Sequence, residues 1–322
     1  MLNLFKIGIN AFRESLREPI YCLMLLAALL LIWCYPPLSC FAFSEPLKLV
    51  VDSSMATALL FGLIVAVLCA SNTVAREMRN GTVLLLMSKP VSRWSFILGK
   101  ILGIAAAVTL FALLCNLGCL ISVFVAVDQF RYNMRIHYGF LAVIAASAFI
   151  GMAANFIRGS SFTEICTYAL GVLLTALAVG LLLRCKPPKA IVIVDLVKAL
   201  MLVDFACVAM ATLAVVAATR LDMVPNLCVC TAIFFLGLLS SYLFQKFEKT
   251  KSEELKQLLT ILYSIFPNWQ FFWLVDAIAM RKTIPWGYVG MAALYMLLFV
   301  VIAAMWAVVL FQEKEVAGDS RN

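Results

Sequence analysis

Apolar residues run in long blocks along this chain, and polar residues gather in short segments between them. The apolar runs cover residues 19–43, 53–75, 101–127, 138–157, 165–183, 199–219, 223–245 and 283–312, and Asp204 is the one charged residue inside them. Each run reaches the roughly 20 residues that an α-helix needs to cross a bilayer. In hydrocarbon the backbone must satisfy its own hydrogen bonds, so runs of this length predict helices. The pattern predicts an all-α membrane protein: a polytopic transmembrane helix bundle of about eight spans (six to eight), forming a single domain over residues 1–322.

The flanking segments add detail. Residues 1–18 place Leu4, Ile7, Phe12 and Leu16 roughly on one face, with Lys6, Arg13 and Arg17 elsewhere. This predicts an amphipathic interfacial helix at the cytoplasmic surface, and the bland alternative is a frayed tail. Pro36-Pro37 predicts a helix break near the end of the first span, followed by an outer loop holding Glu45, Lys48 and Asp52. Residues 257–275 are uncharged but interrupted by Pro267-Asn268-Trp269 and dense in aromatics. That predicts an interfacial helix pair within an extracytoplasmic charged and aromatic segment, 246–282, rather than a span. Mixed charges around Arg13, Glu14, Arg17 and Glu18 argue against a cleaved signal peptide.

Residues 76–100 form a polar, turn-bearing block between the second and third runs. The block carries five Lys/Arg against one Glu, a bias that marks a cytoplasmic face. With it the N-terminus and, after an even number of spans, the C-terminus fall in the cytoplasm, and the protein belongs in the cell (inner or plasma) membrane. The second half of the chain runs against this rule. Arg184, Lys186, Lys189, Lys198 and the basic residues of 246–282 fall on the expected outer side.

Composition agrees with the pattern. The chain is 65% hydrophobic, its mean hydropathy is +1.04, and 13% of its residues are charged, where a soluble domain carries about 25%. The net charge of +8 suits membrane loops facing anionic lipid. No basic, aromatic-studded soluble domain exists to bind nucleic acid. The eleven Cys fall mostly inside apolar runs, where they act as small hydrophobes. The chain has a single His, His137, and no metal-binding, hydrolase or phosphate-loop motif. Catalysis, a cofactor, a metal centre and ATP hydrolysis by this chain alone are therefore not expected. Asp204 is a possible intramembrane polar contact, for a substrate or proton, or else a buried hydrogen bond to a neighbouring helix. Asn72, Asn116 and Asn155 are expected to hydrogen-bond between helices.

The block carries a further signal. It reads Glu77-Met-Arg79-Asn-Gly81-Thr82, then a Leu-rich turn, Lys89-Pro90-Val-Ser-Arg93, and Gly99-Lys100 opening the third span. This order resembles the membrane subunits of ABC-2-type transporters, in their bacterial copper-enzyme-maturation and gliding-motility-like branch. The resemblance implies a permease subunit that moves a substrate by coupling to ATP hydrolysis in a separate nucleotide-binding subunit, together with a second permease chain, identical or homologous. It makes 1–18 the connecting helix and 76–97 the cytoplasmic coupling loop, with a coupling helix between spans two and three. The ATPase-coupling interface it implies is Arg76, Glu77, Arg79, Gly81, Thr82, Lys89, Pro90 and Arg93. Glu77 and Arg79 would supply charge pairs, Gly81-Thr82 a helix break, and Lys89-Pro90 the end of the turn. Two other functions fit less of the chain: a membrane anchor or assembly factor for a periplasmic partner, docking through 257–275, and an intramembrane enzyme using Asp204.

Overall fold

The computed structural model describes residues 2–39, 45–79, 93–128, 131–185, 188, 191–247 and 267–319. Helix α1, Leu2–Arg17, lies against the bundle, and α2, Pro19–Ser39, follows it. Helix α3, Pro46–Ala70, passes through a π-helical turn, Ser71–Ala75, into α4, Arg76–Arg79. Helix α5, Arg93–Val125, has 33 residues. At 1.5 Å per residue that is about 50 Å, well beyond the roughly 30 Å of hydrocarbon. A small antiparallel hairpin, Ala126–Asp128 with Arg131–Tyr132, turns the chain into α6, Met134–Arg158. Then come α7, Phe162–Arg184, α8, Ile193–Ala218, and α9, Met223–Phe247. After a 3₁₀ turn, Trp269–Phe272, and the short α10, Val275–Ala279, helix α11 runs from Trp286 to Asp319.

Seven of these helices are long and apolar enough to cross a membrane. Helix α9, whose described apolar part Met223–Leu239 is shorter than these seven, also runs from one end of the bundle toward the other. Asn226 reaches Ser71 at one end, and the Leu238 carbonyl accepts from Gln270 at the other. Side-chain contacts sort the helix ends into two faces. On one, Arg17 pairs with Glu164 at 2.8 Å and Phe96 stacks near Phe311. On the other, the Trp33 indole donates to the His137 carbonyl at 3.0 Å, and Lys48 pairs with Asp276 at 3.0 Å. The start of α1, the α4 end of the second traverse and the last turns of α11 share the first face.

Helices α3, α5 and α8 form the enclosed centre. Helices α6, α7 and α11 turn large apolar side chains outward: Phe156 is 92% exposed and Leu183 82%. Exposure of that size is costly in water and suits lipid. Residues 267–285 do not span. They fold back over the second face, where Tyr288 donates to the Phe271 carbonyl at 2.6 Å and Tyr295 stacks on Phe271 and Phe272.

Three expectations change. Helix α2 does not break at Pro36 but continues to Ser39. Pro36 cannot donate to the Ile32 carbonyl, and Ser122 of α5 does so instead, at 3.1 Å. The segment expected as a loop after the first span is helical from Pro46, where α3 starts and a missing N–H costs nothing. Lys48 and Asp52 therefore sit one turn apart on a helix. His137 lies in the first turn of α6 rather than in a loop. Asn133 caps that helix by accepting from the Arg135 and Ile136 amides.

Helix α1 crosses α5 where both are narrow. A Cβ added at Gly103 would run into the Gly8 carbonyl and the Ala11 side chain, and one at Gly99 would lie 2.8 Å from Ile7. Around Gly290, on the lipid-facing α11, nothing lies within 4 Å of such an atom. Gly103→Ala is expected to destabilise the fold by about 1–3 kcal/mol through overpacking. Gly290→Ala is expected to be neutral or stabilising by up to about 1 kcal/mol. Thermal unfolding of the two purified variants checks the contrast.

Candidate functional site

The polar block between the second and third traverses is where charge and buried structure meet. Its two ends are helical rather than looped: Arg76–Arg79 continues α3, and Arg93–Lys100 begins α5. Lys100 comes up on the inner side of α5 and is only 3% exposed. Its ammonium donates to Glu77 Oε1 at 2.8 Å and lies 3.5 Å from Glu14 Oε2 on α1. It also sits 5.9 Å from the centre of the Phe96 ring, and Phe96 packs on Phe311 of α11. One buried cation therefore joins α1, α4 and α5, with the last helix stacked behind it.

The turn before Glu77 sets this geometry. A π turn holds one residue more than an α turn, which carries everything after it round the axis by about 100°. The turn is held from two sides. Thr73 returns its hydroxyl to the Cys69 carbonyl at 2.6 Å. Asn226 of α9, fully buried, donates to Ser71 Oγ at 3.3 Å and to the Ala214 carbonyl of α8 at 3.2 Å. The Cys230 thiol donates to its Oδ1 at 3.2 Å. The phase of the block is thus fixed from α8 and α9 as well as from α1.

The predicted residues separate within this frame. Arg76 is exposed beside the cluster, while Glu77 points into it, toward Lys100. Arg79 closes α4 and Arg93 opens α5. Gly81, Thr82, Lys89 and Pro90 lie outside the described residues. Lys100, Glu14 and Asn226 were not singled out as site residues. The signal for Lys100 was present, since a lysine within an apolar helix needs a named partner. The partners were hidden because Glu14 and Glu77 belong to elements distant in sequence.

Asp204 lies elsewhere. It accepts from Asn116 Nδ2 at 2.9 Å, and the same amide donates to the Leu200 carbonyl at 3.1 Å. Asn116 is sixteen residues beyond Lys100 on α5, about 24 Å along the helix. The pair stitches α5 to α8 in the centre of the bundle, as expected of an interhelical hydrogen bond. Asn155 instead donates to the Ser160 carbonyl and closes the turn after its own helix.

Removing one partner of a buried ion pair leaves the others uncompensated, at about 3–5 kcal/mol. Lys100→Met is expected to cost that much. Combined with Glu77→Gln, it should cost less than the sum of the two single variants by about 1–3 kcal/mol. A double-mutant cycle on thermal or denaturant unfolding measures the difference, and strict additivity would contradict the cluster.

Two comparisons bear on identity. The family model described as "ABC-2 family transporter protein" matches residues 12–186, which take in the last turns of α1, all of α2 to α7 and the whole polar block. None of the curated proteins compared with the chain matches it.

Proposed function

Because this chain belongs to the ABC-2 family of transporter proteins, we propose that it is a permease subunit driven by a separate ATP-binding subunit that docks on residues 76–93. The chain is a multi-pass membrane protein of an ABC transporter, and the ATP-coupled step is the proposal. The observation that carries it is the Lys100 cluster. A force applied at Arg76 reaches a buried ion pair within one helical turn, and from there reaches three helices at once.

In this scheme Arg76 faces the ATP-binding subunit, together with Arg79, Gly81, Thr82, Lys89, Pro90 and Arg93. Glu77 does not dock. It transmits, through Lys100, to α1 and α5. The π turn held by Asn226 carries the same displacement into α8 and α9. Packed elements of this kind switch between discrete arrangements rather than deforming continuously. A second permease chain, identical or homologous, completes the membrane part, with the block on the cytoplasmic side.

Purification of the tagged chain from its native membranes is expected to recover an ATP-binding protein bearing a phosphate loop. Arg76→Glu should lower that recovery roughly ten-fold, the size of a reversed charge at an interface, while Gly290→Ala leaves it unchanged. Absence of any ATPase from the wild-type preparation would overturn the proposal.

A further inference from the structure

A cavity of about 660 Å³ opens between α3 and α9 on the face opposite the polar block. Ala56 and Leu60 of α3 and Phe234 and Leu238 of α9 form its walls, and Trp273 closes it from the side of the folded-back segment. Leu60, 43% exposed, edges it on the outer surface of the bundle, where lipid would lie. The interior is apolar and the mouth is not. Gln270 stands there, its amide already given to the Leu238 carbonyl at 2.7 Å, and so does Asp276.

Among the described residues, Asp276 is the one charged side chain on the cavity wall. Lys48 pairs with it at 3.0 Å, but that lysine is shared. Glu45 lies 3.7 Å from the same ammonium, and Asp52 interacts electrostatically with both Lys48 and Asp276. Among the described residues, three carboxylates share that one ammonium, so Asp276 has no counter-ion to itself. The Asp276 carboxylate is mostly exposed and so reachable.

We propose that this cleft binds a cationic amphiphile, with an alkyl or aromatic tail between α3 and α9 and a positively charged head at Asp276. The shape selects a molecule that is apolar along its length and charged at one end. The sign of the mouth selects the cation over an anion with the same tail. Lys48 competes with the head group for Asp276, so the two rim residues oppose each other in binding. Binding at this cleft needs no ATP-binding subunit, so its failure would leave the coupling proposal standing, and the converse also holds.

The test uses the full chain in phosphatidylcholine nanodiscs. Tryptophan quenching is titrated with a bromoalkyl trimethylammonium and with a bromoalkyl sulfonate of equal chain length. The cation should give a saturable component, displaced by its unbrominated analogue and lost in Trp273→Phe. The sulfonate should give only the unsaturating quenching of simple partition. Asp276→Asn should weaken the cation, and Lys48→Met should tighten it, each by roughly two- to five-fold as for a half-exposed pair. Ala56→Phe, which fills the cleft, should abolish the saturable component while thermal unfolding shows the fold intact. A gain in Lys48→Met cannot come from misfolding. Equal saturable quenching by the sulfonate, or unchanged affinity in both rim variants, would overturn the proposal.

Discussion

A lysine ammonium inside a helical bundle has to find its counter-charges within the protein, and that requirement organises one whole end of this molecule. Lys100 is drawn out of solvent by its place on the inner side of α5, where Phe96 and Phe311 pack beside it. Its partners come from α4 and α1, so neither helix can move away without stranding a charge. A buried ion pair adds little net stability compared with an apolar contact, yet it is expensive to break once formed. Here it supplies an arrangement more than an energy: α1 crosses α5 at the glycine contact, α4 ends over Lys100, and the polar block hangs from both.

The rest of the bundle obeys the same economy of polar contacts. Lipid is as apolar as leucine, so helices gain little by burying leucine against each other. They are held where small residues allow close approach and where polar groups bridge them. Asn116 and Asp204 bridge α5 to α8, Asn226 bridges the π turn to α8 and α9, and Ser122 bridges α5 to α2. Asp195, Lys198 and the backbone of Ile284 clasp the start of α8 to the segment before α11, with Trp286 over the ammonium at 5.1 Å. Tyr21 and Tyr35 of α2 add two more such bridges, to the Ala107 carbonyl of α5 at 2.9 Å and to the Thr57 hydroxyl of α3 at 2.6 Å.

Much of this was legible from the pattern of apolar runs. Hydrophobic length places a span reliably: seven of the eight apolar runs are helices long and apolar enough to cross a membrane, and of the expected interfacial segment 257–275 the residues before 267 lie outside the described residues. The errors fell where a single residue's meaning depended on its neighbour in space. Pro36 reads as a break until Ser122 takes the orphaned carbonyl. Lys198 reads as a loose charge until Asp195 and the Ile284 carbonyl are seen to bind it. Trp94 to Lys100 reads as loop because a charged residue ends the apolar run, although the helix continues past the hydrocarbon. Glu77 was expected among docking charges, and its pairing with Lys100 at 2.8 Å was not foreseen. Asp195 and Lys198 are three residues apart on one helix, but the other partners are separated by tens of residues, and no local sequence rule contains them.

The Lys100 cluster makes α1, α4 and the start of α5 one mechanical body. Hydrogen–deuterium exchange on the purified chain in nanodiscs tests that body directly, because amides exchange at the rate at which their segment opens. Lys100→Met should raise exchange together in residues 4–17 and 71–79 while leaving residues 134–184 as protected as in the wild type. If only one of the first two segments loosens, or neither does, these helices are not held as a unit and the central claim is wrong.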